Sequence, residues 1–454
     1  MSHRTDSEPP SADPVAAHYE ELQDRWPVVD RTQDYARLVV PIGNSAEPVH
    51  RWFHMKEAYS SQLIERLRKD AEIEHGGLVR TLDPFSGSGT TLISSMEVAS
   101  LGETPRTMGI ERNPFLATVA RAKVAGVLGG DAFGAKVQEA VPELKRRFES
   151  ERRTELSSQS STLSNDAYFP KENVTDLLAI SKAIRTIKHD GVRDVLAACL
   201  AASVERSGKL RRDGRALRFE ADREPTAPWS TFEGNVNDAT ADLAGLKPRP
   251  SSWKGSVVSG DARQTASLVG SRQFDWIVFS PPYPNNIDYT EVYKLESWVL
   301  GAWQTPAEMR SQRHITLRSH PSVVFKDAYR YEVTSDAEEV NQLINPVVES
   351  IPAGRYERGR TQVVRGYADD MLTVLKQCRR VIAPRGRLVY VVGNSGHGSD
   401  GELVIAADLI IARLAEIAGW SVEEIRVARA LKRRNSTSPF LRESVVVLRP
   451  RERK

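Results

Sequence analysis

Cysteine is scarce in this chain: there are two in 454 residues, Cys199 and Cys378, each in an apolar helical context. That number and placement argue against a disulfide framework and a cysteine-based zinc site, so a reducing, cytoplasmic setting is expected. Long apolar runs are missing as well. The most apolar stretch, 403–420, is interrupted by Asp408, Arg413 and Glu416 and reads as an amphipathic helix rather than a membrane span. Net charge is only +3, so bulk charge gives no argument for a nucleic-acid partner. Basic residues do cluster, at Lys209, Arg211, Arg212, Arg215 and Arg218, at Arg355, Arg358, Arg360 and Arg365, and at Arg429, Lys432, Arg433 and Arg434. Local patches of this kind suit a partner that carries phosphates, while each cluster alone fits a solvated face equally well. The N-terminus is rich in Ser, Pro, Asp and Glu without an apolar centre. Residues 1–40 are therefore expected to form a flexible tail, not a signal peptide.

With 40% hydrophobic and 27% charged residues, the remainder is an ordinary globular chain, long enough for one heavily decorated domain or for two or three. Leu78-Val79-Arg80-Thr81-Leu82-Asp83 reads as a short buried strand entering a glycine turn, with a helix over 90–98. Arg106-Thr107-Met108-Gly109-Ile110-Glu111 is the next strand, and Pro114 opens a helix over 115–124. Alternation of this kind demands a parallel α/β sheet with right-handed crossovers. From 126 to 254 the pattern gives way to mostly helical, polar sequence, read as an insertion. Strands resume at Ser256-Val257-Val258-Ser259-Gly260-Asp261 and Asp275-Trp276-Ile277-Val278-Phe279. After a helix over 290–300 comes an irregular block, 305–365, with no sheet period. A helix over 366–382, a strand over 387–393, the 403–420 helix and a closing pair of strands at 422–430 and 444–449 end the chain. The domain reading is thus a tail at 1–40, one half of the sheet at 41–125, the insertion at 126–254 and the second half at 255–454.

Two short strings carry the chemistry. In Asp83-Pro84-Phe85-Ser86-Gly87-Ser88-Gly89-Thr90-Thr91, the glycines let backbone amides face a ligand at the mouth of the following helix. No lysine follows Gly89, so this is not a phosphate loop of the Gly-Lys-Ser/Thr type. Glu111 ends the next strand, 22 residues after Gly89, where sheets of this kind place a carboxylate on ribose hydroxyls. The second string, Ser280-Pro281-Pro282-Tyr283, is a rigid elbow after a buried strand, with a hydroxyl before it and an aromatic ring after it.

In this order the two strings resemble the amino-group methyltransferases that use S-adenosylmethionine to modify exocyclic nitrogens of nucleic-acid bases. The resemblance covers about 49–123 and 256–448. It implies a Rossmann-like class I methyltransferase α/β sheet with helical and irregular insertions. It places Asp83, Phe85, Gly87, Gly89 and Thr90 around the methionine end of the cofactor, Glu111 on the ribose and Asp261 near the adenine amine. Phe53, in the aromatic segment 49–56, would be either a cofactor wall or a core aromatic. No metal is implied. An exocyclic amine is a poor nucleophile because its lone pair is delocalised, so acceptors aimed at its N–H bonds are needed. The Ser280 side chain and a carbonyl near Pro281 would supply them, preorganised by Pro281 and Pro282. Stacking on Tyr283, worth about 1–3 kcal/mol, would offset part of the cost of flipping a base.

Serine at the first position of the tetrapeptide points, within this family, to cytosine N4 rather than adenine N6. The absence of any Pro-Cys disfavours carbon-5 chemistry. Many cytosine-N4 enzymes carry the two strings in the opposite order, so this chain departs from that pattern, which bears on its subclass and not on the chemistry. The expected partner is DNA, read by one or both inserted blocks, and a restriction or phage-defence protein is a further partner the resemblance allows. Adenine-N6 DNA methylation, guanine-N2 methylation of RNA, and a DNA-binding subunit without turnover are the alternatives. The RNA enzymes usually carry Asp or Asn before the prolines and an extra N-terminal module.

Overall fold

The computed structural model describes residues 14–71, 77–100, 102–154, 156–214, 216–354, 357–397, 403–432 and 438–452. Its framework is an eight-stranded sheet. In chain order the strands are β1 (Val28–Asp30), β2 (Gly77–Asp83), β3 (Glu103–Glu111), β4 (Lys254–Ser259), β5 (Phe274–Phe279), β6 (Ile382–Gly393), β7 (Trp420–Ala430) and β8 (Arg442–Pro450). Across the sheet they lie β1-β7-β8-β6-β5-β2-β3-β4. Pairing is parallel except where β8 runs against its neighbours β6 and β7. The α/β architecture expected from the strand–helix alternation is the one observed. Order reverses between β2 and β5, so a crevice opens at their carboxyl ends, where open α/β sheets bind ligands.

β5 shows why the sheet sits centrally. Phe274, Ile277 and Phe279 belong to a core built with helices Ala337–Glu349, Glu357–Val381 and Ala407–Ile417, whereas Trp276 and Val278 face a second core beneath helix Leu63–Asp70. A strand apolar on both faces is what a parallel strand covered on both sides requires. A third core belongs to the helical block and includes Leu196, Leu200, Phe232 and Leu243. Among the described residues no helix is long and apolar enough to cross a membrane.

Several boundaries differ from the sequence reading. Of the supposed tail, residues 14–40 are part of the fold. Helix Pro14–Gln23 buries Tyr19 completely, with its hydroxyl on the Val404 carbonyl at 2.8 Å, and β1 extends the sheet beside β7. Tyr19, Leu22 and Trp26 recur at helical spacing, a signal masked by the polar residues around them; residues 1–13 lie outside the described part. The boundary expected at 126 falls just before Gly130, where the helical run Pro114–Glu151 breaks at φ 54° into two helices, the first against the sheet and the second in the block. The block at 305–365 is irregular only in part: it holds helices Pro306–His314 and Ala337–Glu349 and the start of Glu357–Val381, with an irregular stretch over 315–329. The 403–420 segment is a short strand, Leu403–Ile405, followed by helix Ala407–Ile417. In place of one helix over 290–300 there are two, Tyr289–Val292 and Lys294–Val299, meeting at Tyr293.

Candidate functional site

At the end of β2 the Asp83 carboxylate is buried. It accepts a hydrogen bond from the Phe85 amide at 2.8 Å and another from the Thr91 hydroxyl, which also pairs with the Tyr59 hydroxyl. Burial pushes Asp83 up to about 7. The turn then passes through Gly87 and Gly89, at φ 49° and 90°, backbone that side chains rarely adopt. Gly89 also lets helix Thr90–Glu97 start tightly against Ala120, whose Cβ would lie 3.2 Å from any added side-chain carbon. Glu111, at the end of β3, reaches across to this turn: Oε2 accepts from the Gly87 amide and Oε1 from the Asn113 amide, both at 2.7 Å. Burial raises the Glu111 pKa, against the pull of the Asn113, Gly87 and Arg112 amides.

The facing wall is the elbow after β5. The Ser280 hydroxyl donates to the Tyr283 hydroxyl at 3.3 Å, and Tyr283 donates to Glu443 Oε1 at 2.7 Å. The other Glu443 oxygen accepts from Arg429 Nε at 2.6 Å. An ionised carboxylate only accepts, so Glu443 fixes the direction of the whole relay. Ser280 spends its single proton on Tyr283 and presents lone pairs elsewhere. The Tyr283 ring packs against Gly393, where a Cβ would stand 2.8 Å from Cε2. The glycine is therefore a steric requirement. Gly393, at the end of β6, and Glu443, at the start of β8, thus both stand on Tyr283.

Both walls enclose one cavity of about 270 Å³. Of the residues expected at the site, Phe85, Gly87, Glu111, Asp261, Ser280, Pro281, Pro282 and Tyr283 line it. Asp83, Gly89 and Thr90 stand behind the wall and shape the turn. Phe53 packs in the core, edge-on to Phe115 at 5.4 Å, and is not among the residues that line the cavity. Asp261 lines the cavity with its carboxylate gripped by Arg263, Nη2 to Oδ2 at 2.7 Å, and Arg263 also reaches Asp370.

Residues the sequence reading missed complete the enclosure. Glu57 and Tyr59 join Met55 and Lys56, the end of the 49–56 segment already singled out, in a strap over the turn, and Arg313 and His320 close in from the second inserted block, His320 lining the cavity itself. The Lys56 ammonium donates to the Arg212 carbonyl, and the Tyr293 hydroxyl donates to Glu57. Three cavity residues carry a buried polar atom with no partner among the described residues: Glu57 Oε1, Arg112 Nε and His320 Nδ1. Each such atom left dry costs about 1–3 kcal/mol. A polar ligand relieves that cost.

The basic clusters separate into two kinds. Arg212 is buried, paired with Glu296 and with Glu205 at 3.3 Å, and Arg365 bonds Asn341 and Asn345; these two hold the fold together. Arg429 holds Glu443. Arg211, Arg218, Arg358 and Lys432 are exposed, whereas Arg215, Arg355, Arg433 and Arg434 lie outside the described residues.

The chain is 22% identical over 457 residues to the type II methyltransferase M.BsoBI of Geobacillus stearothermophilus, covering 90% of this chain and 86% of the relative. It is 24% identical to the type II methyltransferase M.AvaI of Nostoc sp., covering 85% and 81%. No family model matches. Among solved structures it aligns with TrmN from Thermus thermophilus (10% identity, TM-score 0.29, 86% of this chain and 48% of that one). It also aligns with the rRNA methyltransferase aviRa from Streptomyces viridochromogenes (10%, TM-score 0.28, 88% and 84%). The two curated relatives support methyl transfer as the class of activity.

Proposed function

We propose that this chain is a DNA methyltransferase that uses S-adenosylmethionine to methylate the N4 amine of cytosine. The observation that carries the reading is the relay Arg429–Glu443–Tyr283–Ser280 at the edge of a cavity whose other wall is the Gly87 turn and Glu111. The relay turns Ser280 Oγ into an acceptor, which is what an exocyclic amine needs if its lone pair is to be freed for attack.

The residues present fit the cofactor. Glu111 keeps lone pairs for ribose hydroxyls, Asp261 offers an acceptor to the adenine amine, and Glu57, with an unpartnered oxygen, offers a carboxylate to positive charge. When bound, the cofactor supplies an electrophilic methyl group. The protein's own contribution is to hold the amine against Ser280, to fix the elbow through two prolines, and to shield the reaction beneath the strap. Both cysteines are buried, and burial raises Cys199 to about 12 and pushes Cys378 up as well; neither supplies a thiolate nucleophile.

The type II methyltransferase relatives favour DNA as substrate, and the exposed Arg211, Arg218 and Arg358 on the two inserted blocks suit its phosphates. Ser280, where adenine enzymes of this kind carry Asp or Asn, favours cytosine. Incubation with DNA and labelled cofactor, followed by nucleoside analysis, tests the reading. N4-methylcytosine supports it, N6-methyladenine replaces the base, and methylated RNA alone replaces the substrate.

A further inference from the structure

The segment 315–320 follows helix Pro306–His314 and passes along the cavity. It is held from below by charge. The Arg318 amide donates to Asp370 Oδ2 at 2.9 Å, its guanidinium pairs with both Asp369 and Asp370, and Arg263 Nη2 donates to the Ile315 carbonyl at 2.8 Å. A segment pinned in this way carries its next side chains in a fixed orientation.

One of these is His320, only 2% exposed and part of the cavity wall. Its two nitrogens have different surroundings. Nε2 stands 3.9 Å from Asp288 Oδ1, while Nδ1 is buried with no partner. Asp288 belongs to the loop that begins at Ser280, and its carboxylate is fixed by the Thr290 amide at 3.1 Å and by Arg313 Nε at 2.7 Å. An anion facing Nε2 favours the proton on that nitrogen, which leaves the lone pair on Nδ1.

We propose that His320 is a catalytic residue: with the acceptors at Ser280 and Pro281 holding the amine, Nδ1 takes the proton that the amine sheds after methylation. The inference rests on the amino-methylation reading above. Once methylated, the amine nitrogen bears a positive charge and one proton too many. That N–H bond breaks, its electron pair stays on nitrogen, and the proton passes to the Nδ1 lone pair. The resulting imidazolium faces Asp288 and returns its proton to water as product leaves. The groups facing the ring are Asp288, Glu291 and Arg313. Burial lowers the pKa below the ordinary histidine value, with Asp288 opposing, Arg313 adding to the depression and Glu291 opposing. The imidazole is therefore neutral and able to accept at pH 7.

Two measurements test this. Nitrogen NMR of the cofactor-free protein, with the His320 signal assigned by its loss in His320→Asn, should show a neutral ring protonated at Nε2 at pH 7. A proton on Nδ1, or an imidazolium, overturns the proposal whatever the variants do. Single-turnover methylation of DNA across pH should then fall on the order of 100-fold in His320→Ala, with cofactor affinity held within about twofold. His320→Asn keeps an acceptor near the Nδ1 position, so it should retain more activity than alanine and lose the decline of rate at acid pH. Wild-type rates in both variants, or a wild-type pH profile in His320→Asn, refute the role. If the wild-type protein leaves DNA unmethylated, the reading of the whole site fails instead.

Discussion

Asp242 should control how firmly the strap closes over the cavity. It lies on the inserted helix Pro228–Ala244, and its side chain is 3% exposed. Its carboxylate accepts from the Val49 amide at 2.9 Å, from Trp52 Nε1 at 3.0 Å and from the Arg51 guanidinium. Val49 is a β-branched residue held at φ 63°, a conformation costing about 1–3 kcal/mol. Asp242→Ala strips the acceptor from two partly buried donors, each loss worth about 1–3 kcal/mol, and removes the bond that holds the Val49 amide in this conformation. Because Met55 to Tyr59 follow directly, the segment should release locally. Apparent cofactor affinity then falls with the closed fraction, by about 10- to 100-fold. Arg51→Ala, which removes a side chain 37% exposed, should cost under about 1 kcal/mol. Calorimetric titration with S-adenosylmethionine, paired with urea denaturation, measures both effects. Wild-type affinity in Asp242→Ala, or an equal loss in Arg51→Ala, would refute the anchoring argument.

Glu443→Gln can donate to Tyr283 and so reverse the relay; turnover on DNA should drop about tenfold or more with cofactor binding unchanged, and an unaltered kcat contradicts the polarity assigned to Ser280. For Asp83, burial raises the carboxyl from its ordinary 3.8 to about 7. The folded state thus binds the proton more tightly, and stability present below pH 3.8 is lost as pH rises through 7. Asp83→Asn should therefore gain on the wild type by up to about 4 kcal/mol above pH 7 and nothing near pH 4; a gain independent of pH in chemical denaturation would be the wrong result. Replacing Arg211 and Arg218 with Ala together should reduce the slope of log affinity for DNA against log salt by about one to two, and an unchanged slope shows both to be solvated surface.

The parallel strands and the site were legible in different degrees for physical reasons. β2 and β5 are short and bounded by turn residues, and the chemistry at their ends sits within nine consecutive residues in one case and four in the other. Such local signals survive without any knowledge of the fold. What closes the cavity is non-local. Glu443 meets Tyr283 across 160 positions, and Asp242 meets Trp52 across 190, and no periodicity along the chain records such a meeting. Charge also misled. Arg212 and Arg218 look alike in a basic run, yet one is buried against Glu296 while the other faces solvent. The helix Pro14–Gln23 was hidden by composition, because a few apolar residues at helical spacing are enough to dock a short helix on a large core.

The Ser280 elbow should methylate an exocyclic amine of DNA. Mass spectrometry of nucleosides from DNA incubated with the protein and S-adenosylmethionine carrying a deuterated methyl group tests it most directly. Labelled N4-methylcytosine is expected from the wild type and none from Ser280→Ala. Labelled 5-methylcytosine, or equal product from Ser280→Ala, would contradict it.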